Sequence, residues 1–223
     1  MTSYRIGIVG GTGAQGKGLA HRFALAGHAV TVGSRSVSRA ADVAAEVTEH
    51  AGSDVGGTTN EDAAGAADVV VVAVPYDGHA ALVGGLADAL ADRIVVSCVN
   101  PLGFDRRGPY GLDVAAGSAA EEAQRLAPRA RMTAAFHHVS AVSLWRHSGP
   151  LCDEDVLVCG DDTEAKQVVL DLAATVTGRP GVDAGALRLA RQLESLTAVL
   201  ISVNQRYRTR AGLRLSGVPA PPR

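Results

Sequence analysis

The chain has 223 residues, sets 21 Lys and Arg against 23 Asp and Glu for a formal net charge of −2, and is 47% hydrophobic but 4% aromatic. This length suits one large domain or a nucleotide-binding domain with a smaller second lobe, and the near-balanced charge provides no basic field for nucleic-acid phosphates. The longest apolar runs, such as Val69–Pro75 and Thr197–Val203, fall far short of the roughly 20 residues that cross a bilayer, so no membrane segment is expected.

Cys98, Cys152 and Cys159 are odd in number and widely spaced, which predicts neither a disulfide framework nor a zinc site. With no signal-peptide pattern after Met1, a cytoplasmic location is expected. Only Lys17 and Lys166 are lysines, so few groups are available as a lysine base or Schiff-base nucleophile.

Taken in chain order, the first hundred residues alternate strand-like and helix-like segments. Arg5–Gly10 is a β-branched run, Gln15–Ala26 helical, Ala29–Gly33 strand-like, and Ser36–His50 helical with Ala and Val at helical spacing. Asn60–Ala67 predicts a short helix with Asn60 as N-cap. Val69–Val74 is continuously apolar, as for a parallel strand covered on both faces, and Pro75 ends it. Gly78–Ala91 reads as helix and Ile94–Ser97 as strand. The rhythm predicts an α/β chain with a doubly wound parallel sheet.

Cys98–Gly117 breaks that rhythm with Pro101, Gly103, Gly108, Pro109 and Gly111, and reads as a long functional loop. Ser118-Ala-Ala-Glu121 is a capping box opening a helix to about Leu126. Met132–Phe136 and Val156–Cys159 are further strands, 162–175 a helix, and Ala186–Tyr207 one long helix. The Pro-rich tail 217–223 is expected to be disordered.

Gly10-Gly-Thr-Gly-Ala-Gln-Gly16 places G-x-G-x-x-G at Gly11, Gly13 and Gly16, directly after a strand and opening a helix. In this context Gly11 permits the tight turn, Gly13 the backbone's approach to a pyrophosphate, and Gly16 close helix–strand packing. The amides around Thr12, Ala14 and Gln15 would face phosphates at the positive helix end. An NAD site places an acid at the end of the second strand. This chain has Thr31-Val-Gly-Ser-Arg35 instead, so Ser34, Arg35 and Arg39 predict a 2′-phosphate and therefore NADP.

Together with Gly33-Ser-Arg35, Asn60-Glu-Asp-Ala-Ala64, Ala73-Val-Pro75, Cys159-Gly-Asp-Asp162 and Leu193-Glu-Ser-Leu-Thr197, the fingerprint makes the chain resemble the coenzyme F420-dependent NADP oxidoreductases over nearly its whole length. The resemblance implies hydride transfer between NADP(H) and the deazaflavin coenzyme F420. It also implies an NADP-binding Rossmann domain over 1–140, a small C-terminal α/β lobe over 141–216 that completes a deazaflavin cleft, and a homodimer. By position it puts Tyr76, Asn100 and Ala141 beside NADP, and His137, Ser195 and Thr197 beside the deazaflavin. Where some relatives carry His-Thr-Ile-Pro, this chain has His137-His-Val-Ser140.

Hydride exchange between two rings asks little of side chains, because the cofactors carry the reaction. No catalytic acid or base is therefore required, although His137 is a candidate proton source. Adjacent His137 and His138 at a strand end point to opposite faces and do not form a metal pair, and Asp161-Asp162 reads as a helix cap with a first-turn acid. Arg106 and Arg107 on the long loop offer positive charge to an acidic ligand tail. Two alternatives stay open on sequence: an NADPH-dependent reductase of a small imine, ketone or flavin, and a non-catalytic NADP-sensing protein.

Overall fold

A computed structural model describes residues 2–218. Its elements run β1 (Arg5–Val9), α1 (Ala14–Leu25), β2 (Ala29–Ser34), α2 (Val37–Ala51), β3 (Val55–Thr59), α3 (Asn60–Gly65), β4 (Val69–Val72), α4 (His79–Gly85) and β5 (Ile94–Ser97). A hairpin of β6 (Leu102–Asp105) and β7 (Gly108–Gly111) follows. The chain continues with α5 (Ala119–Leu126), β8 (Arg131–Ala134), α6 (Ala141–Arg146), β9 (Leu157–Gly160), α7 (Thr163–Thr177), β10 (Val182–Asp183), a 3-10 turn Leu187–Leu189 and α8 (Ala190–Tyr207). Residues 219–223 of the expected tail lie outside the described residues.

One sheet has the order β10-β9-β8-β5-β4-β1-β2-β3. The six strands from β3 to β8 are all parallel, and their order is that of the doubly wound dinucleotide-binding fold. β9 joins antiparallel to β8, and β10 parallel to β9. Strand residues alternate between two cores. Ile6, Ile8, Val69 and Val71 pack with Leu19, Phe23, Val169 and Leu172 on one face, whereas Val9, Val70 and Val72 pack with Leu90, Ala123 and Leu193 on the other. Burial of all four β4 valines is the physical meaning of that apolar run.

Several expectations need correction. The segment Val55-Gly-Gly-Thr-Thr59, for which no element was expected, is the edge strand β3, and Gly57 is required there because a Cβ would lie 2.6 Å from the Ala40 carbonyl. Asn60 does not cap α3, since the Thr59 hydroxyl accepts from Asp62 N–H instead. The helix expected over 78–91 stops at Gly85, and the long loop contains the β6–β7 hairpin. Ser36, Ser118 and Asp162 do cap α2, α5 and α7. Asp161 instead accepts from Leu187 N–H, at 3.0 Å.

Candidate functional site

Parallel strands bring their C-terminal ends to one edge of the sheet, and the glycine loop sits there between β1 and α1. Gly11 N–H donates to Gly33 O at the end of β2 (3.0 Å), which ties the loop to Ser34 and Arg35. A Cβ on Gly16 would lie 2.7 Å from Gly11 Cα, and one on Gly11 would lie 2.9 Å from Ile8 O, so both glycines are packing requirements. Gly13 differs: its Cβ would meet no protein atom nearer than 3.5 Å, and the residue is exposed. Space is kept there for something other than the protein. α1 begins at Gly13 with no side-chain cap, whereas α2, α3, α5, α6 and α7 each have one. Thr12, Ala14 and Gln15 flank this open helix end, a suitable seat for an anion.

Sequence reasoning read Asn60 as a helix cap and missed that its side chain fixes this loop. Buried Asn60 accepts the N–H of Gly10 on its Oδ1 at 3.1 Å, while Gly10 holds φ at +73°. Two elements are thereby joined through one amide, where the sequence had signalled only a helix cap.

At the end of β2, Ser34 is buried and its Oγ accepts from Ser36 N–H at 3.3 Å. Arg35 and Arg39 are exposed, and neither guanidinium has a salt-bridge or hydrogen-bond partner among the described residues. Both are free to meet an anion.

Asn100, His137 and Thr197 converge at the ends of β5 and β8. Asn100 Nδ2 (2.9 Å) and Thr197 Oγ1 (3.0 Å) both donate to the His137 carbonyl, and Gln15 Nε2 donates to the Phe136 carbonyl at 3.0 Å. Asn100 Oδ1 and His137 Nε2 remain buried without a hydrogen-bond partner. Eight buried side-chain polar atoms of the described residues lack a hydrogen-bond partner; these two lie just past the ends of β5 and β8, where the parallel strands open.

His137 is almost wholly buried, and desolvation, with a smaller contribution from His138, pushes its imidazole down to about 3. Burial therefore holds the ring neutral near pH 7. His138 Nε2 lies 2.7 Å from Asp155 O and holds that turn. Ala141 opens α6, where its carbonyl would lie 3.2 Å from a Cβ on Gly18 of α1. Ser195 is exposed; its hydroxyl donates back to Arg191 O at 2.9 Å, and its Oγ would lie 3.0 Å from a Cβ on Gly111 in the hairpin. Thr197 therefore reaches the His137 group, and Ser195 has no contact with it.

Beside Asn100 a cleft of about 770 Å³ opens between the β4–α4 turn and the hairpin, lined by Pro75, Tyr76, Leu102, Phe104, Leu112 and Glu122. Tyr76 donates to Glu122 Oε1 at 3.4 Å, and His79 Nδ1 lies 3.0 Å from Glu122 Oε2. Behind them buried Glu194 accepts the first N–H groups of α5, from Ala119 (2.9 Å) and Ala120 (3.1 Å). Desolvation still pushes its carboxyl up to about 7, with the charges of Glu121 and Glu122 adding to the rise.

Sheet order, glycine loop and open helix end define a dinucleotide-binding protein of the Rossmann class. Comparison with known proteins narrows the class. Residues 5–101 match the family described as NADP oxidoreductase, coenzyme F420-dependent. The chain is 39% identical over 223 residues to the F420-dependent NADP reductase of Methanothermobacter thermautotrophicus, covering 96% of each chain. With that of Methanocaldococcus jannaschii it shares 35% identity over 222 residues, covering 96% of this chain and 99% of the other. A solved structure provisionally described as an F420-dependent NADP-reductase from Arthrobacter sp. FB24 superimposes with a TM-score of 0.81 at 28% identity, covering 96% of this chain and all of that one. The chain belongs to the coenzyme F420-dependent NADP oxidoreductase family.

Proposed function

We propose that this protein transfers a hydride between NADP(H) and the deazaflavin coenzyme F420. The observation that carries the reading is the cleft beside Asn100, whose buried Oδ1 has no protein partner, next to the glycine loop and the open end of α1. The open N-terminus of α1, the space above Gly13 and the unpaired Arg35 and Arg39 fit a dinucleotide bearing a 2′-phosphate. When bound, the nicotinamide and deazaflavin rings supply the hydride chemistry.

The chain's own part is to bind, orient and exclude water. Amides from Thr12 to Gly16 would hold the pyrophosphate, Ser34, Arg35 and Arg39 the 2′-phosphate, and Asn100, with Tyr76 and Ala141 nearby, the nicotinamide half. Buried, neutral His137 offers a hydrogen bond rather than a proton. The α8 residue Ser195 would border the deazaflavin side, while Thr197 reaches that side only through the His137 carbonyl it holds. Residues 1–140 would bind NADP, and 141–216 would complete the cleft.

We further place the protein in the cytoplasm as a homodimer. No helix of the described residues is long and apolar enough to cross a membrane, and α8 leaves Val199 and Tyr207 exposed to a partner copy. Sedimentation velocity tests the dimer. Purified protein mixed with NADPH and oxidised coenzyme F420 should bleach the deazaflavin absorbance, with FMN and simple ketones inert in parallel. No turnover of the deazaflavin at any pH would overturn the reading.

A further inference from the structure

Three side chains from three remote parts of the chain meet on two consecutive carbonyls. Gln15, in the first turn of α1, donates to Phe136 O across 121 positions of sequence. Asn100, after β5, and Thr197, in α8, both donate to His137 O. A carbonyl oxygen has two lone pairs, so the two donors saturate that of His137. Because a carbonyl can only accept, the NH2 of Asn100 must face it, and Oδ1 must face the other way, where it is buried and unpartnered.

The backbone carrying these carbonyls is in a costly conformation. Phe136 has φ of +63°, a left-handed geometry that bulky residues rarely adopt. Such residues persist only where their surroundings over-determine them, and they cluster at functional sites. Here the ring is fully buried edge-on against Phe23, with centroids 5.9 Å apart, while three side chains hold the adjoining peptides.

We infer that Thr197 and Gln15 are positioning residues that strap the 136–137 turn, and so fix the direction of Asn100 Oδ1 and His137 Nε2, rather than substrate contacts. The inference rests on the hydride-transfer reading and deepens it. The Thr197 hydroxyl is committed to a backbone carbonyl, and the glycine loop, the turn and α8 are joined through that backbone.

The test compares Thr197→Val, which keeps shape and loses the donor, Thr197→Ser, which keeps the donor, and Gln15→Met. Misplaced orienting groups slow the chemical step, so Thr197→Val should lower kcat by about 10–100-fold while both KM values stay within about twofold. Thr197→Ser should restore the rate. In ligand-free protein, amide hydrogen exchange over residues 136–139 should accelerate in Thr197→Val and Gln15→Met, and not in Thr197→Ser.

A raised KM for the deazaflavin with kcat preserved would make Thr197 a substrate contact and overturn the inference. So would exchange rates equal to wild type, or Ser and Val variants that behave alike. Absence of turnover by the wild-type protein would instead sink the functional reading, and the ligand-free exchange measurement would still decide whether the strap exists.

Discussion

Glu194 allows a quantitative test of how α8 is fastened to the rest of the molecule. Its carboxyl is 2% exposed and accepts two N–H groups from the start of α5, yet burial lifts its proton affinity from an ordinary 4.5 to about 7. Between those values the folded protein holds a proton that the unfolded chain has released. Stability therefore falls as pH rises through this window: the contribution is intact below about 4.5 and lost above about 7. At about 1.4 kcal/mol per pH unit the full loss is about 3 kcal/mol.

Glu194→Gln removes the titration and keeps the shape. Its effect on the α5 amides is the same at every pH, and other titrating groups are common to both proteins. Urea unfolding of both, at about pH 5 and about pH 8, isolates the carboxyl. The wild-type protein should lose about 2–3 kcal/mol relative to the variant between the two conditions, equivalent to roughly 5–10 °C in Tm for a chain of this size. A wild-type minus variant difference that stays flat with pH, or grows in the opposite direction, would refute the reasoning that burial outweighs the two amides.

Two further substitutions probe the cofactor end. Arg35→Ala should weaken NADPH by about 10–100-fold, the scale of one charge-assisted hydrogen bond, and leave NADH nearly unchanged in fluorescence titrations; equal losses would show that Arg35 does not read the 2′-phosphate. Asn60→Ala leaves the part-buried Gly10 N–H unpaired, so thermal unfolding should report a loss of about 1–2 kcal/mol, and NADPH should bind more weakly through a loosened glycine loop.

What could be read from sequence divides by distance along the chain. The glycine loop, its helix and the valine run of β4 were visible because each is specified by neighbours within a few residues. β3 was hidden because Gly56 and Gly57 break any strand pattern, and the need for Gly57 comes from α2, at the Ala40 carbonyl. The hairpin was hidden for a related reason. Gly103 lies opposite Tyr110, whose ring sits where a Cβ would stand, so a residue that reads as loop punctuation is a cross-strand packing partner. Asn60 carried a genuine cap signal, but Thr59 took that role and left the amide for Gly10. Candidate residues could be chosen from motifs, but their bonds could not. Gln15 to Phe136 and Thr197 to His137 are tertiary pairings, and no local pattern announces a phenylalanine at positive φ.

The scarcity of lysine now has a structural meaning. Lys17 pairs with Glu46 at 2.8 Å and lies 4.2 Å from the Trp145 ring centroid, which binds α1 to α2 and α6. Lys166 pairs with Asp183 at 2.9 Å, beside β10. Both ammonium groups are thus occupied in structure. At the turn itself, His137 is held neutral by burial, and the Cys98 thiol at the end of β5 is pushed far up by the same desolvation. On the turn itself, then, the polar groups beside Asn100 are amides, carbonyls and a neutral imidazole, while the phenol of Tyr76 and the carboxylate of Glu122 in the adjoining cleft are bonded to each other. A reductase of carbonyls or imines would need an acid to quench the developing charge, and Tyr76, the phenol on that cleft, is instead committed to Glu122 at 3.4 Å. Hydride exchange between two rings asks there only for orientation and dryness, and a strapped turn beside the buried Asn100 amide oxygen suits both.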